Sequence, residues 1–267
     1  MGNTVICMAY VNRLEQLKRT LAAYAKYGNK YSVVIANDGA EPLRRADLPD
    51  MGGNGIIEIL DGGGVRDKTW HDPSVPMNKA FSYAINEMGA DTLILTNPEC
   101  MPVVGDIIGD VETLGHDEYR VYGCLSLDET ITHNIGHIDL TALADSVTRG
   151  ATKDFELAWY QHSRYRPVGY EFCAAISANN MRKLNGYDER LAFGIGYSDN
   201  YLLHRIRKMG LFVNMLGSPF VAHQYHERTD NTEQRDGLVK VNKLIYQQLE
   251  ATVTGVKAVR LITKDIL

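Results

Sequence analysis

The chain has 267 residues, 45% hydrophobic and 23% charged, with 28 Lys+Arg against 33 Asp+Glu for a formal net charge of −5. This composition excludes a mainly disordered chain, a collagen and a small disulfide scaffold. It offers no apolar run near the ~18 residues of a membrane-crossing helix. The acidic balance argues against broad phosphate-backbone binding and leaves room only for a local basic groove.

The predicted elements alternate. Thr4 to Ala9 reads as a short buried strand, rich in Val, Ile and Thr. Leu14, Leu17, Leu21 and Tyr24 recur at spacings of three and four, which predicts an amphipathic helix over Leu14 to Tyr27. Tyr31 to Ala36 and Ile56 to Leu60 read as two further strands, stopped by Asn37-Asp38-Gly39 and Asp61-Gly62-Gly63-Gly64. Asn78 to Met88 reads as a helix ended by Gly89, and Asp91 to Thr96 as a fourth strand ended by Asn97-Pro98.

The segment from Leu127 to Val168 has weak periodicity and reads as a mobile covering or an irregular excursion. Beyond it, Phe172 to Ser177 is apolar and Asn200 to Met209 looks helical. Leu211 to Leu216 reads as a strand, Glu233 to Glu250 as a helix and Val256 to Thr263 as a late strand. Continuous apolar strands alternating with helices predict an α/β fold with a mostly parallel central sheet flanked by helices. No linker or repeat divides the chain, so a single domain over 1–267 is expected. In such sheets ligands bind beyond the carboxyl ends of the strands, which directs attention to Tyr10 to Asn12, Asn37-Asp38, Asp61 and Asn97 to Glu99.

The four cysteines, Cys7, Cys100, Cys124 and Cys173, form no Cys-x-x-Cys pair and read as core thiols. With no basic leader and no Asn-x-Ser/Thr sequon, a reducing, cytoplasmic location is expected. The glycines of a P-loop or dinucleotide fingerprint are missing, which argues against a P-loop kinase or a dehydrogenase. His133 and His137 have helical zinc spacing, but Gly136 interrupts them and no Glu follows His133.

Five motifs occur in order: Val5 to Arg13; Ser32 to Gly39; Pro76-Met77-Asn78-Lys79-Ala80; Asp91 to Glu99; and Leu184-Asn185-Gly186-Tyr187-Asp188-Glu189 running through Gly194-Ile195-Gly196-Tyr197-Ser198-Asp199-Asn200 to Leu211. Together they resemble the family 2-like glycosyltransferases of the GT-A fold, over about Val5 to His226. The resemblance implies a Rossmann-like nucleotide-sugar-binding half (about 1–100), an acceptor-binding half (about 101–232) and a C-terminal helix and strand (233–267). It also implies transfer of a sugar from a nucleotide-sugar donor, of the UDP type, to a hydroxyl with inversion.

By that resemblance Asp38 binds the base, as a carboxylate suited to accept an imide N–H. Ala9, Tyr10, Asn12, Asp61, Arg66, Asn78 and Asn97 complete the nucleotide-sugar site. By residue type alone Asn37-Asp38-Gly39 also has a plainer reading as a turn, and Asn78 as a helix cap. The family's Asp-x-Asp metal motif is replaced here by Asn97-Pro98-Glu99. Glu99, with His223 or His226 from the C-terminal part, is the expected ligand set for Mn²⁺ or Mg²⁺; a mixed carboxylate–imidazole set favours Mn²⁺ over Ca²⁺. Asp199 is the expected general base, with Ser198 in place of the family's Glu. Trp159, Tyr170, Gly196 and Tyr197 are the expected acceptor-binding residues.

The acceptor itself is open between a glycan, a protein and a hydroxylated base in modified DNA. Two other functions stay open: a non-catalytic nucleotide-sugar or glycan-binding module, and a nucleotidyltransferase. The second lacks the Gly-rich basic loop it would need after the first strand.

Overall fold

The computed structural model describes residues 2–28, 30–51, 55–227 and 232–266. The N-terminal half follows the predicted alternation. Strand β1 (Thr4–Tyr10) leads into helix α1 (Leu14–Tyr24), then β2 (Tyr31–Asn37), β3 (Ile57–Leu60), α2 (Ser74–Asn86) and β4 (Thr92–Thr96). β1 pairs in parallel with both β2 and β4, and β2 with β3. A central strand in such a ladder is covered on both faces, which is why β1 is apolar almost throughout. Its two faces feed separate cores, one with Phe81 and Ile85 of α2, the other with Leu17 and Leu21 of α1.

α2 begins four residues before the predicted start. Pro76 falls in its first turn, where a missing N–H costs no helical bond. Asp72 meets one orphan donor there, accepting from the Ser74 N–H at 3.0 Å.

The second half is richer than the sequence reading. β5 (Cys100–Val104) follows β4 after a tight turn, then come α3 (Ile107–Val111) and the long strand β6 (Glu118–Ser126). β6 is buried along its whole length although it carries Glu118 and Arg120. Arg120 is neutralised locally, 2.7 Å from Glu118 and 2.9 Å from Asp110, so the two charges cross the core as a bonded set.

The expected irregular middle contains α4 (Glu129–His133), α5 (Leu140–Ser146) and β7 (Ala158–Gln161). These close a third core around Leu125, Leu127, Trp159 and Phe220. Then come β8 (Cys173–Ser177), α6 (Ala178–Leu184), α7 (Ser198–Lys208), β9 (Phe212–His223) and α8 (Thr232–Thr252).

Among the described residues, all nine strands belong to one mixed sheet, ordered β3-β2-β1-β4-β8-β6-β9-β5, with β7 added on β6. Parallel pairs carry more of its ladder than antiparallel ones. The architecture is therefore the mixed, mostly parallel α/β sheet of a GT-A-like fold. None of the described helices is long and apolar enough to cross a membrane. All four cysteines are buried and free.

The predicted late strand at Val256 to Thr263 is absent. That segment joins no strand and is tied down by single bonds, Ala258 N–H to the Leu184 carbonyl and the Glu189 N–H to the Val259 carbonyl. The Glu189 carboxylate accepts the Leu261 and Ile262 N–H groups at 2.7 and 2.6 Å, replacing a neighbouring strand as their acceptor.

Candidate active site

Three groups of polar side chains gather beyond the carboxyl ends of β1, β2 and β4. The first is set by strand pairing. β5 starts immediately after Glu99, and its Cys100 pairs with His223 at the end of β9. The Gln224 N–H donates to the Glu99 carbonyl at 3.0 Å. The Gln224 side chain accepts from Arg19 at 2.6 Å and fixes the turn that carries His226 against α1.

Glu99, His223 and His226 are all buried, and one ligand atom from each lies within 4.8 Å of the others. Glu99 Oε1 is 3.5 Å from His223 Nε2, 3.8 Å from His226 Nε2 and 2.6 Å from the Arg13 guanidinium.

The electrostatics suit metal binding. Burial alone would raise the Glu99 pKa, but Arg13 and the two imidazoles hold it well below the usual carboxylate range. Burial and Arg13 push His226 down to about 4 against the pull of Glu99, so its ring is neutral near pH 7. Its Nδ1 lies 3.1 Å from the Glu227 carbonyl, and a donation there leaves Nε2 as the lone-pair nitrogen. Glu99 Oε2 and His223 Nδ1 are buried without a partner. Two imidazoles and one carboxylate, whose Oε2 is unpartnered, fit a divalent transition ion.

The second group is the nucleotide side. Asp38 is buried at the end of β2, and its carboxylate accepts from Lys68 Nζ and Trp70 Nε1, each at 2.7 Å. Neither partner was visible as such in the sequence, because the loop that returns them is irregular. Asn37 makes the turn itself, accepting from the Gly39 N–H and donating to the Glu41 carbonyl. Asn12 sits beside Gly39, where any Cβ would meet its Oδ1 at 2.7 Å. Tyr10 is buried in the α1-side core, whereas Ala9 packs on the α2-side core. Asp61 is exposed and paired to Lys79 at 2.6 Å, and Arg66 is exposed in the following loop. Asn97 lies half-buried in the turn from β4 to β5, its carbonyl accepting from Cys100 N–H.

Asn78 does not join this group and does not cap its helix. It is 0% exposed inside α2, with both amide hydrogens spent on the Tyr187 carbonyl and Glu189. Gly186 has φ +74°, and a Cβ there would come within 2.3 Å of Asn78 Oδ1. The Asn-Gly-Tyr-Asp-Glu motif thus locks onto α2 rather than onto a ligand.

The third group surrounds the start of α7. Asp199 occupies its first turn, and the Ser198 hydroxyl is 3.3 Å from Asp199 Oδ1 and 3.0 Å from Asp72 Oδ2. Asp72 is carried by a loop whose His71 and Asp72 N–H groups both donate to the Ala192 carbonyl. Burial, and then the neighbouring Asp199, push Asp72 up to about 7. Glu171, just ahead of β8, reaches Asp199 from another side; burial and Asp199 hold it well above the usual carboxylate range. The antiparallel pairing of β8 with β4 brings Glu171 here, since Cys173 lies opposite Thr96. Neither Asp72 nor Glu171 was among the residues expected from sequence.

A cavity of about 250 Å³ adjoins His223 and His226 and is walled by Thr152, Lys153, Phe155, Tyr160, Tyr170 and Phe172 among others. Phe155 stands edge-on to the rings of Tyr225 and His226, at 5.0 and 4.9 Å. Tyr170 has its hydroxyl 2.8 Å from Asn200 Nδ2, which links this cavity to α7.

Gly196 and Tyr197 form the turn before α7, both at positive φ. Asn242 of α8 holds that turn by donating to the Gly196 carbonyl at 2.7 Å, and a Cβ on Gly194 would clash with it. Trp159 is a correction. It is 3% exposed, its indole N–H donates to the Val147 carbonyl, and it packs on Phe220 in the third core. It is core material and has no face for an acceptor.

No family model and no curated protein matches this sequence. Among solved structures, the chain is similar to Staphylococcus aureus TarS, with a TM-score of 0.53 and 9% identity. The match covers 84% of this chain but only 37% of that one. At that identity the likeness supports a glycosyltransferase-like fold and nothing finer.

Proposed function

We propose that this chain is a nucleotide-sugar-dependent glycosyltransferase acting as one GT-A-type domain, with a UDP-type donor and inversion at the anomeric carbon. The observation that carries the reading is the Glu99, His223 and His226 cluster, which the pairing of β5 with β9 assembles just past the carboxyl end of β4.

Asp38, framed by Lys68 and Trp70, receives the base, and the strand-end residues Ala9, Tyr10 and Asn12, with Asp61, Arg66 and Asn97, border the rest of the donor. Glu99, His223 and His226 would hold Mn²⁺ or Mg²⁺, which when bound supplies positive charge for the departing diphosphate.

Asp199 takes the proton of the acceptor hydroxyl. The hydroxyl oxygen bonds to the anomeric carbon on the face opposite the diphosphate, and the broken C–O bond leaves its electron pair on the diphosphate. Tyr170, Gly196 and Tyr197 border the acceptor, whether glycan, protein or hydroxylated base.

Thermal stability with UDP-, GDP-, TDP- and CMP-sugars, with and without Mn²⁺, tests the donor site. A ligand that binds only the folded chain raises its stability with the logarithm of saturation. One UDP-sugar giving a shift that grows with Mn²⁺ is expected; no shift with any donor would remove the reading. A product of retained configuration would remove Asp199 from its role. A non-catalytic binding module is distinguished by Asp199→Asn, which in an enzyme abolishes transfer and spares nucleotide binding.

A further inference from the structure

The Ser198 hydroxyl poses a counting problem. It has one hydrogen, yet its oxygen lies within hydrogen-bond distance of Asp72 Oδ2 at 3.0 Å and Asp199 Oδ1 at 3.3 Å. With both carboxyls ionised, one of those contacts sets lone pair against lone pair in a buried place. Asp72 is 1% exposed, and no ion pair among the described residues reaches it. Its Oδ1 already accepts the Ser74 N–H. One additional proton, on Asp72 Oδ2, satisfies every contact: Asp72 donates to Ser198 Oγ, and the Ser198 hydrogen goes to Asp199 Oδ1.

We infer that Asp72 is a positioning residue that works as a neutral acid, holding the Asp199 carboxylate through the Ser198 hydroxyl. The inference rests on the general-base reading of Asp199 for its catalytic meaning, but the proton itself can be observed without any activity. It also explains how the chain functions with Ser198 where the resemblance led to a Glu. The second carboxyl comes from the loop before α2, and the serine carries its hydrogen bond across. The direction of the Asp72 titration, set by burial and by Asp199, agrees with this count. The other titratable groups around Asp199 are Glu171, Tyr119 and Tyr187, and burial holds each of them toward its neutral form.

The test is infrared titration of the intact chain between pH 5 and 9, following the carboxylic acid C=O stretch. Wild type should show a protonated-carboxyl band that disappears near pH 7. Asp72→Asn should lack that band, while Glu171→Gln should lose a different one. Asp199→Asn should move the Asp72 midpoint downward, because a facing negative charge is gone. Ser198→Ala should keep the band but shift its frequency.

A second readout is release of UDP from UDP-glucose, used as the probe donor. Asp72→Ala should lower turnover about 10–100-fold with the donor KM little changed. Asp72→Asn, which still offers a donor to Ser198, should recover most of that loss and flatten the pH profile near 7. A band titrating near 7 that survives in Asp72→Asn would overturn the inference, as would its absence from wild type. Failure of UDP release alone, with the infrared result intact, would instead count against the glycosyltransferase reading.

Discussion

Two groups of carboxyls sit at one end of one sheet, and their environments drive them opposite ways. Glu99 is buried against Arg13 and two imidazoles and is held well below the usual range. Asp72, buried, and Glu171, half-buried, both face Asp199 and are held above it, Asp72 at about 7. Burial opposes the charged form in all three, so burial does not distinguish them. What differs is the neighbour, a guanidinium in one place and a second carboxylate in the other. The first set is left anionic and ready for a cation. The second set is left favouring its protonated forms beside Asp199.

The largest expected effect comes from removing the chemistry of the second set alone. Asp199→Asn should lower transfer by ~10²–10⁴-fold, the usual contribution of a positioned base, while calorimetry finds nucleotide binding unchanged. A comparable loss of binding would merge the two sets into one site and end the comparison.

The next prediction concerns the sign of the pH dependence. Asp72 binds its proton more tightly folded than unfolded, so its contribution to stability is full below about pH 4 and is lost as pH rises through about 7. The cost at alkaline pH is of order 4 kcal/mol by the conversion of a pKa difference into free energy. Asp72→Asn should therefore gain stability relative to wild type above pH 7 in urea unfolding. Glu99 runs the other way: its contribution is present above about pH 4.5, the ordinary range of a glutamate, and is lost as pH falls. Parallel pH–stability curves for wild type and Asp72→Asn would contradict the assignment.

Glu99→Gln should destabilise the ligand-free chain by about 2 kcal/mol in denaturant, because Arg13 and two imidazoles lose their anion. The loss stays that small because the Arg13 side chain is 32% exposed and can rehydrate. The smallest effect is expected at Arg13. It shares Glu99 Oε1 with the imidazoles and competes with any metal ion. Arg13→Gln should tighten Mn²⁺ binding about fivefold, the worth of roughly 1 kcal/mol for a part-exposed ion pair, as read by calorimetry. Weaker binding in that variant would make Arg13 a helper of the metal site instead.

Much of this was legible in the sequence for reasons particular to each residue. β1, β2 and β4 are apolar on both faces, so composition and length were enough to place them and the polar residues at their ends. The grouping of Glu99 with His223 and His226 came from the resemblance, and the pairing of β5 with β9 realises it. β6 was hidden because Glu118 and Arg120 interrupt its apolar run; their bonds to each other and to Asp110 make a charged central strand tenable. Trp159 was misplaced because an aromatic cluster looks alike whether it faces a ligand or a core. Asp72 and Glu171 left no signal, since their meeting at Asp199 depends on the β4–β8 register and on two hydrogen bonds to Ala192.

The measurement that bears most directly on the account is the electron paramagnetic resonance signal of free Mn²⁺, titrated with the wild-type chain and with Glu99→Ala, each with and without UDP. The account predicts that wild type removes one equivalent of free signal, more tightly when UDP is present, and that Glu99→Ala removes none. A free Mn²⁺ signal that wild type leaves unchanged, with UDP as well as without it, would contradict it.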